Sequence, residues 1–384
     1  MSQSPPLKMR FAVAGRAQGI DAAHPVWEEA LPVSLQRPPA ASRQSPPVTH
    51  GDYFEAVRHY LQHEGAGHLD AALAAAVPTS PPAVAAVDVI LEKHGEFYHP
   101  ARIQVATPDK TVTLALNVAV TPTGIMCMQN EIDALRRVAP RLPKGALPRV
   151  YGWRQVETPG GLGFGMYLAD WFADHHEFHL SIDPGDGIQK MIVWDTDRAP
   201  FFLDADLTAA VYRQTAYLLT RAYDPTATTQ IYPWHHASGD FIVQPRGARA
   251  DVKLITVRQY AATLGTENAS GLDAESRLMA AMVFFANLTL RNRIDRLDGT
   301  GKLAWADDAA VAATVDGFHR ALDATSLPDL PSLLLSYAVE DWVALLAAVG
   351  APYRLMADEQ ALLDRHIPDH AACLRAAVHA ALRP

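Results

Sequence analysis

Cysteine is nearly absent from this chain: only Cys127 and Cys373 occur in 384 residues. Two isolated thiols build neither a disulfide framework nor a thiolate zinc site, and they suit a reducing compartment. Lysine is scarce as well, at seven residues, and 33 Lys plus Arg against 42 Asp plus Glu leave a formal charge of -9. That balance argues against a protein that tracks nucleic-acid phosphates along a basic stripe, so no nucleic-acid partner is expected. Long apolar runs are missing too. The longest, Leu278 to Leu290, is interrupted by Asn287 and bracketed by Arg277 and Arg291, short of the ~20 residues a spanning helix needs. It reads as a core helix, and no membrane partner is expected. The opening MSQSPPLKMRFAVAG has no sustained apolar stretch after its Lys and Arg, so no secretory signal is read and a cytoplasmic location is expected.

A chain of 384 residues is long for one core, and two packed lobes with a tail are the expectation. Residues 1 to about 50 are rich in Pro, Ser and Gln, which suits an extended arm or a poorly ordered tail. From Gly51 to about Ala76, Phe54, Val57, Leu61, Leu69 and Leu73 recur at helical spacing until the Pro-rich stretch from Val77 to Pro82. Arm and helical preface together make a first region, 1–80. Strand-like runs follow at Ala86 to Leu91, Ala101 to Thr107 and Thr111 to Val120, the last two joined by Pro108-Asp109-Lys110. A helix from Gln129 to Val138 comes next, then two more strands, Leu147 to Trp153 and Gly163 to Trp171, around a Pro-Gly-Gly turn at 159–161. Residues 81–171 are therefore expected to form a lobe of five antiparallel strands with one helix after the third. Residues 172–384 read as mainly helical, with short excursions at Lys190 to Asp195 and Phe201 to Leu203. Asp204 or Asp206 can cap a helix there. A strand pair, Asp240 to Gln244 and Val252 to Val257, turns at Pro245-Arg246-Gly247, and everything beyond Asp273 is helical in pattern.

This order resembles the aminoglycoside phosphotransferase and choline kinase branch of the protein-kinase-like fold, an α+β architecture of two lobes. TLALNVAV from Thr111 resembles the strand that carries the phosphate-pairing lysine, and NEIDALRRV from Asn130 the helix with its ion-pair glutamate, at Glu131. LPRVYG from Leu147 and MYLADW from Met166 resemble the strands leading to the hinge, where main-chain groups between Ala169 and Trp171 would hold an adenine. IYPWHHASGDFIV from Ile231 resembles the catalytic loop, and VKLITVRQY from Val252 the strand bearing the metal aspartate. The resemblance covers roughly residues 86 to 300. It implies ATP and magnesium as cofactors, a small-molecule or nucleotide ligand between the lobes, and ATP-dependent transfer to a small-molecule hydroxyl.

The expected catalytic positions are altered, and phosphoryl transfer depends on those parts: metal ions, a cation on the phosphates and an oriented nucleophile. The lysine position is Asn117. Anchoring on Gly239 puts Asp240 at the metal-binding asparagine and His235 at the catalytic aspartate, and the metal aspartate becomes Thr256, followed by Val257 and Arg258. In this divergent site Asp240 and Thr256 are the candidate cation ligands. Lys93 supplies a phosphate-binding charge, Arg258 binds an anionic group, and His235 or His236 accepts a hydroxyl proton near neutral pH. A kinase-like binding or regulatory protein without transfer chemistry is the alternative. A second alternative is a histidine metalloenzyme using the same cleft. It would take a transition metal from His235, His236 and Asp240, or from His175, His176 and His179, where His175 and His179 would share one helical face. The turn segment EKHGEFYHPAR, with His94 and His99, is a further candidate for binding.

Overall fold

The computed structural model describes residues 7–32, 47–77, 83–95, 97–158, 160–195, 198–263, 272–323, 326–350 and 357–383. The Pro-rich stretch at 78–82, Pro159 of the expected turn, Glu96 and residues 33–46 of the arm lie outside them. Contacts divide the chain into one unit of Met1–Ile132 with Pro148–Ala173, and another of Asp133–Leu147 with Asp174–Pro384. The segment 133–147, read from sequence as part of the first lobe, thus groups with the second unit.

The first unit is built on a sheet of seven strands, not the five expected. Strands β3 (Ala86–Leu91), β4 (Ala101–Ala106), β5 (Thr111–Ala119), β6 (Val150–Glu157) and β7 (Gly163–Asp170) run antiparallel in the order β3-β4-β5-β7-β6. Strands β3, β4 and β5 alternate buried and less buried residues, the period-two signature that made them legible. The two added strands come from the arm: β1 (Met9–Val13) and β2 (Ala17–Ile20) form a hairpin, and β1 pairs in parallel with β3. The sheet is therefore mixed. Phe11 and Val13 of β1 turn into the core, where Phe11 meets Phe54 at 4.9 Å and Trp27 at 6.3 Å. Arg10 faces its register partner Asp88 and forms an exposed ion pair with it.

Helix α1 (His50–His59) starts at a capping box in which Thr49 Oγ1 accepts from the Asp52 amide at 3.1 Å and Asp52 Oδ2 from the Thr49 amide at 2.9 Å. A π-helical turn, Tyr60–Glu64, leads to α2 (Ala66–Ala76). Tyr53, Phe54, Leu61 and Leu69 from these helices share one core with Val87, Val89, Ile103 and Leu116 of the sheet. Each such side chain, fully buried, stabilises by about 1.5–3 kcal/mol. Helix α3 (Pro122–Val138) follows β5 and begins seven residues before the expected Gln129. It comes close to β7 at Gly165, where an added Cβ would stand 3.0 Å from Ile125 Cγ1.

The second unit is less purely helical than its sequence suggests. Strands β8 (His176–Ile182), β9 (Gln189–Trp194), β10 (Phe201–Phe202), β12 (Phe241–Arg246) and β13 (Arg249–Leu254) form a sheet ordered β10-β9-β8-β12-β13. Strand β8 replaces the helix-like stretch read around His175 and His179. The β12–β13 turn falls at Gly247, with φ +60°, so Pro245 and Arg246 belong to β12. Strand β11 (Thr229–Ile231) pairs with β14 (Tyr260–Ala262), bracketing that hairpin. Another hairpin, β15 (Ile294–Arg296) with β16 (Leu303–Trp305), interrupts the region expected to be all helix.

The helices are α4 (Ala205–Ala222), capped by Asp204, then α5 (Ala274–Arg291), α6 (Asp308–Ala321), α7 (Leu330–Ser336), α8 (Val339–Gly350) and α9 (Ala357–Leu382). Phe285 of α5 packs 4.4 Å from Phe318 of α6 and 5.9 Å from Trp342 of α8, ring centre to ring centre. Among the described residues no single helix is long and apolar enough to cross a membrane.

Candidate functional site

In the second unit, the chain leaves β11 at Ile231, runs through Tyr232 to Asp240, and enters β12 at Phe241. This loop is rigid for local reasons. Trp234 is buried and meets the rings of Phe241 at 5.8 Å and His236 at 5.7 Å. The Gly239 amide donates to the His236 carbonyl at 2.9 Å, and Gly239 has φ +65°. A Cβ at Gly239 would lie 2.7 Å from Glu177 Oε1, so glycine answers both the backbone and the neighbour.

Asp240 has no solvent exposure. Its Oδ2 accepts from the His235 amide at 2.8 Å and from Arg258 Nη1. Its Oδ1 is buried without a hydrogen-bond partner among the described residues. Burial pushes the carboxyl pKa up, against the pull of Arg258 and the His235 amide. Thr256 is half-buried two residues before Arg258, on the segment between β13 and β14. The cation set read from sequence is thus altered at its centre: the carboxylate meant for a metal is paired with a guanidinium, and Thr256 adds only a hydroxyl. This donor set does not fit a hard divalent ion, which takes several oxygens.

The two histidines differ. His235 is half-buried, and burial together with Arg291 and Arg258 lowers its pKa to about 3. Such an imidazole is neutral at pH 7 but far too weak a base to take a hydroxyl proton efficiently. His236 is buried, with Nε2 3.0 Å from Asn292 Oδ1. The Asn292 amide nitrogen donates to the Tyr212 carbonyl at 3.0 Å and to Thr314 Oγ1 at 2.7 Å, so Oδ1 is the acceptor and His236 carries its proton on Nε2. His236 Nδ1 is left as a second buried acceptor without a partner among the described residues. Phe178, Tyr212, Trp234 and Phe241 surround the ring at 5.4–6.0 Å. It is a packed histidine.

Sequence reasoning missed the polar cluster beside this loop. His179 on β8 is buried, with Nδ1 3.5 Å from Asp295 Oδ1 and Nε2 3.9 Å from Glu177 Oε2. Burial alone would lower its pKa, but Asp295 and Glu177 outweigh that and carry it up to about 9. Asp295 also accepts the Leu180 amide at 2.8 Å. His175 and His176 point to other carboxylates, Asp251 at 3.4 Å and Asp195 at 3.6 Å, so the three histidines do not converge. Arg291, which acts on His235, forms a buried ion pair with Glu359 of α9 at 3.0 Å. Among the described residues no three His, Cys, Asp or Glu side chains are grouped so as to hold a metal ion.

Lys93, Asn117, Glu131, Ala169 and Trp171 belong to the first unit. Lys93 is exposed on the segment between β3 and β4. Asn117 is the register partner of Tyr167 and hydrogen-bonds its side chain. Glu131 is buried in the middle of α3, not solvated in a first turn, and hydrogen-bonds Tyr98. Burial first, then the Glu131 charge, pushes the Tyr98 and Tyr167 hydroxyls well up. Where the resemblance implies a lysine–glutamate pair, the residues here are an amide and a carboxylate served by tyrosines. Ala169 is buried within β7 between β5 and β6, and half-buried Trp171 follows the strand end under Arg102, 5.7 Å from ring centre to guanidinium carbon. His94 and His99 approach each other, Nδ1 to Nδ1 3.1 Å, and burial lowers the His99 pKa to about 4.

Two concavities of the second unit, of ≈ 380 Å³ and ≈ 750 Å³, are lined by none of His235, His236, Asp240, Thr256 or Arg258.

No protein-family model and no curated protein matches the chain. Among solved structures it is similar to the PAN3 pseudokinase of Drosophila melanogaster, at 7% identity and a TM-score of 0.28, over 74% of this chain and 64% of that one. The chain thus spans less than two thirds of that protein's length.

Proposed function

We propose that this chain is a kinase-like protein, allied in architecture to the aminoglycoside-phosphotransferase branch, that binds a nucleotide or a small anionic ligand without a divalent metal and without transferring a phosphoryl group. Two features support the architecture. Strands β3 to β7 follow the expected order with α3 after the third strand, and the loop from Tyr232 to Asp240 leads into the β12–β13 hairpin, as the catalytic-loop resemblance implies.

The observation that carries the functional reading is the ion pair of buried Asp240 with part-exposed Arg258. A guanidinium stands against the carboxylate on which a metal would be held, and it offers a fixed fork of donors to an anion. His235, with a pKa near 3, is a poor proton acceptor, which favours binding over transfer.

The test is thermal stabilisation and calorimetric titration with ATP, in magnesium and in EDTA, for the wild type and Arg258→Gln. The reading expects similar binding in both media and at least tenfold weaker binding by the variant. Binding only with magnesium, or phosphate transfer lost in Asp240→Asn, would replace it with a phosphotransferase.

A further inference from the structure

The smaller concavity, ≈ 380 Å³, lies between the C-terminal ends of α4 and α6, the middle of α5 and the start of α7. Its volume falls within the range of about 300–1,000 Å³ typical of small-molecule sites. One wall is aromatic: Tyr223 and Phe284 stack with centroids 4.5 Å apart and planes at 16°, and Phe318 adds a ring 6.4 Å from Phe284.

The same wall holds a polar group with nothing to do. Thr220 is 6% exposed, lines the cavity, and among the described residues its Oγ1 has no hydrogen-bond partner. A helical threonine ordinarily bonds back to a carbonyl of the preceding turn, as Thr314 does to Ala310 at 2.7 Å and Thr289 to Ala286 at 2.9 Å. Thr220 does not, and an unsatisfied buried hydroxyl is a standing cost that a ligand's polar atom would relieve.

Charge at the rim is asymmetric. Arg141 is paired with Asp224, and Asp323 accepts from Ser326 Oγ at 2.9 Å. Arg221 lines the rim, exposed, and makes no ion pair among the described residues. We infer that this cavity is a binding site for a compact aromatic carboxylate, with its rings against Tyr223 and Phe284, a polar atom at Thr220 Oγ1, and its carboxylate on the Arg221 guanidinium. The pairing is chemically specific, because a planar fork matches a carboxylate through two parallel hydrogen bonds.

The experiment titrates the full chain with 6-hydroxynaphthalene-2-carboxylate and, separately, with uncharged 6-hydroxynaphthalene-2-carboxamide, followed by ligand-observed NMR and calorimetry. Wild type should bind the carboxylate more tightly. Arg221→Gln, an exposed change that leaves the melting temperature in place, should weaken the carboxylate about tenfold and leave the carboxamide unchanged. Ala281→Leu, which fills the cavity, should abolish both. Absence of binding to the folded wild type at millimolar ligand, or carboxylate binding indifferent to Arg221→Gln, would overturn the proposal, whether or not the Ala281 variant folds. Arg258→Gln should not alter this binding, so its outcome is separate from that of the nucleotide test.

Discussion

Arg258 reaches across 18 residues of sequence to donate through Nη1 to Oδ2 of Asp240. The carboxylate is wholly buried while the guanidinium stays part-exposed, so the carboxylate bears the greater cost of losing its partner. Breaking a buried pair from one side strands a charge and typically costs 3–5 kcal/mol. Arg258→Gln should therefore lower the unfolding free energy in denaturant by about 3 kcal/mol. Adding Asp240→Leu should recover much of that loss, because no buried carboxylate is then left without its cation. Additive loss in the double variant would show that the pair does not act as a unit.

Gly239 and Glu177 make a second coupled pair. Gly239→Ala meets a left-handed backbone, which costs roughly 1–2 kcal/mol, and a carboxylate oxygen 2.7 Å from the new Cβ. The first cost persists whatever stands opposite; the second vanishes with Glu177→Ala. A double-mutant cycle on thermal unfolding should show positive coupling, and strict additivity would mean that Glu177 simply swings aside.

His179 gives the fold a pH dependence of definite sign. Its folded pKa of about 9 lies above the ordinary value near 6.5, so its contribution is complete below about pH 6.5 and is lost as pH rises through about 9. The shift corresponds to roughly 3 kcal/mol. Wild-type stability in urea should fall between pH 7 and 9.5, and the fall should be much shallower in His179→Asn.

Tyr98 serves the buried Glu131 carboxylate. Tyr98→Phe removes that hydroxyl and should cost about 2 kcal/mol, the scale of a hydrogen bond to a charged group. Tyr98→Phe with Glu131→Leu should cost less than the sum of the two single changes. Chemical denaturation of the four proteins decides it.

The sequence disclosed what periodicity can disclose. Strands β3, β4 and β5 have one face more buried than the other, and the alternation reads directly. Strand β8 does not alternate: Phe178, His179, Leu180 and Ser181 are all buried, so both faces look alike and His175-x3-His179 imitated a helical spacing. The β1–β2 hairpin was hidden by the Pro- and Ser-rich composition around it, although Phe11 and Val13 were a signal. The β15–β16 hairpin, with three residues per strand, is too short for any period. At the site, the loop from Tyr232 to Asp240 was found from sequence, but the partner of Asp240 was not. An ion pair closed by the return of the chain through β13 leaves no local trace, and neither does the Asn292 amide that fixes the His236 tautomer.

The parallel match of β1 to β3 has a practical corollary. Strands side by side in one direction cannot be joined by a tight turn, and here the intervening chain carries α1 and α2 before returning. Expression of a version begun at His50 would uncover a row of main-chain donors and acceptors along Val87, Val89 and Leu91, the kind of margin at which one molecule adds to another. Aggregation, rather than simple loss of stability, is the failure to look for in such a truncation.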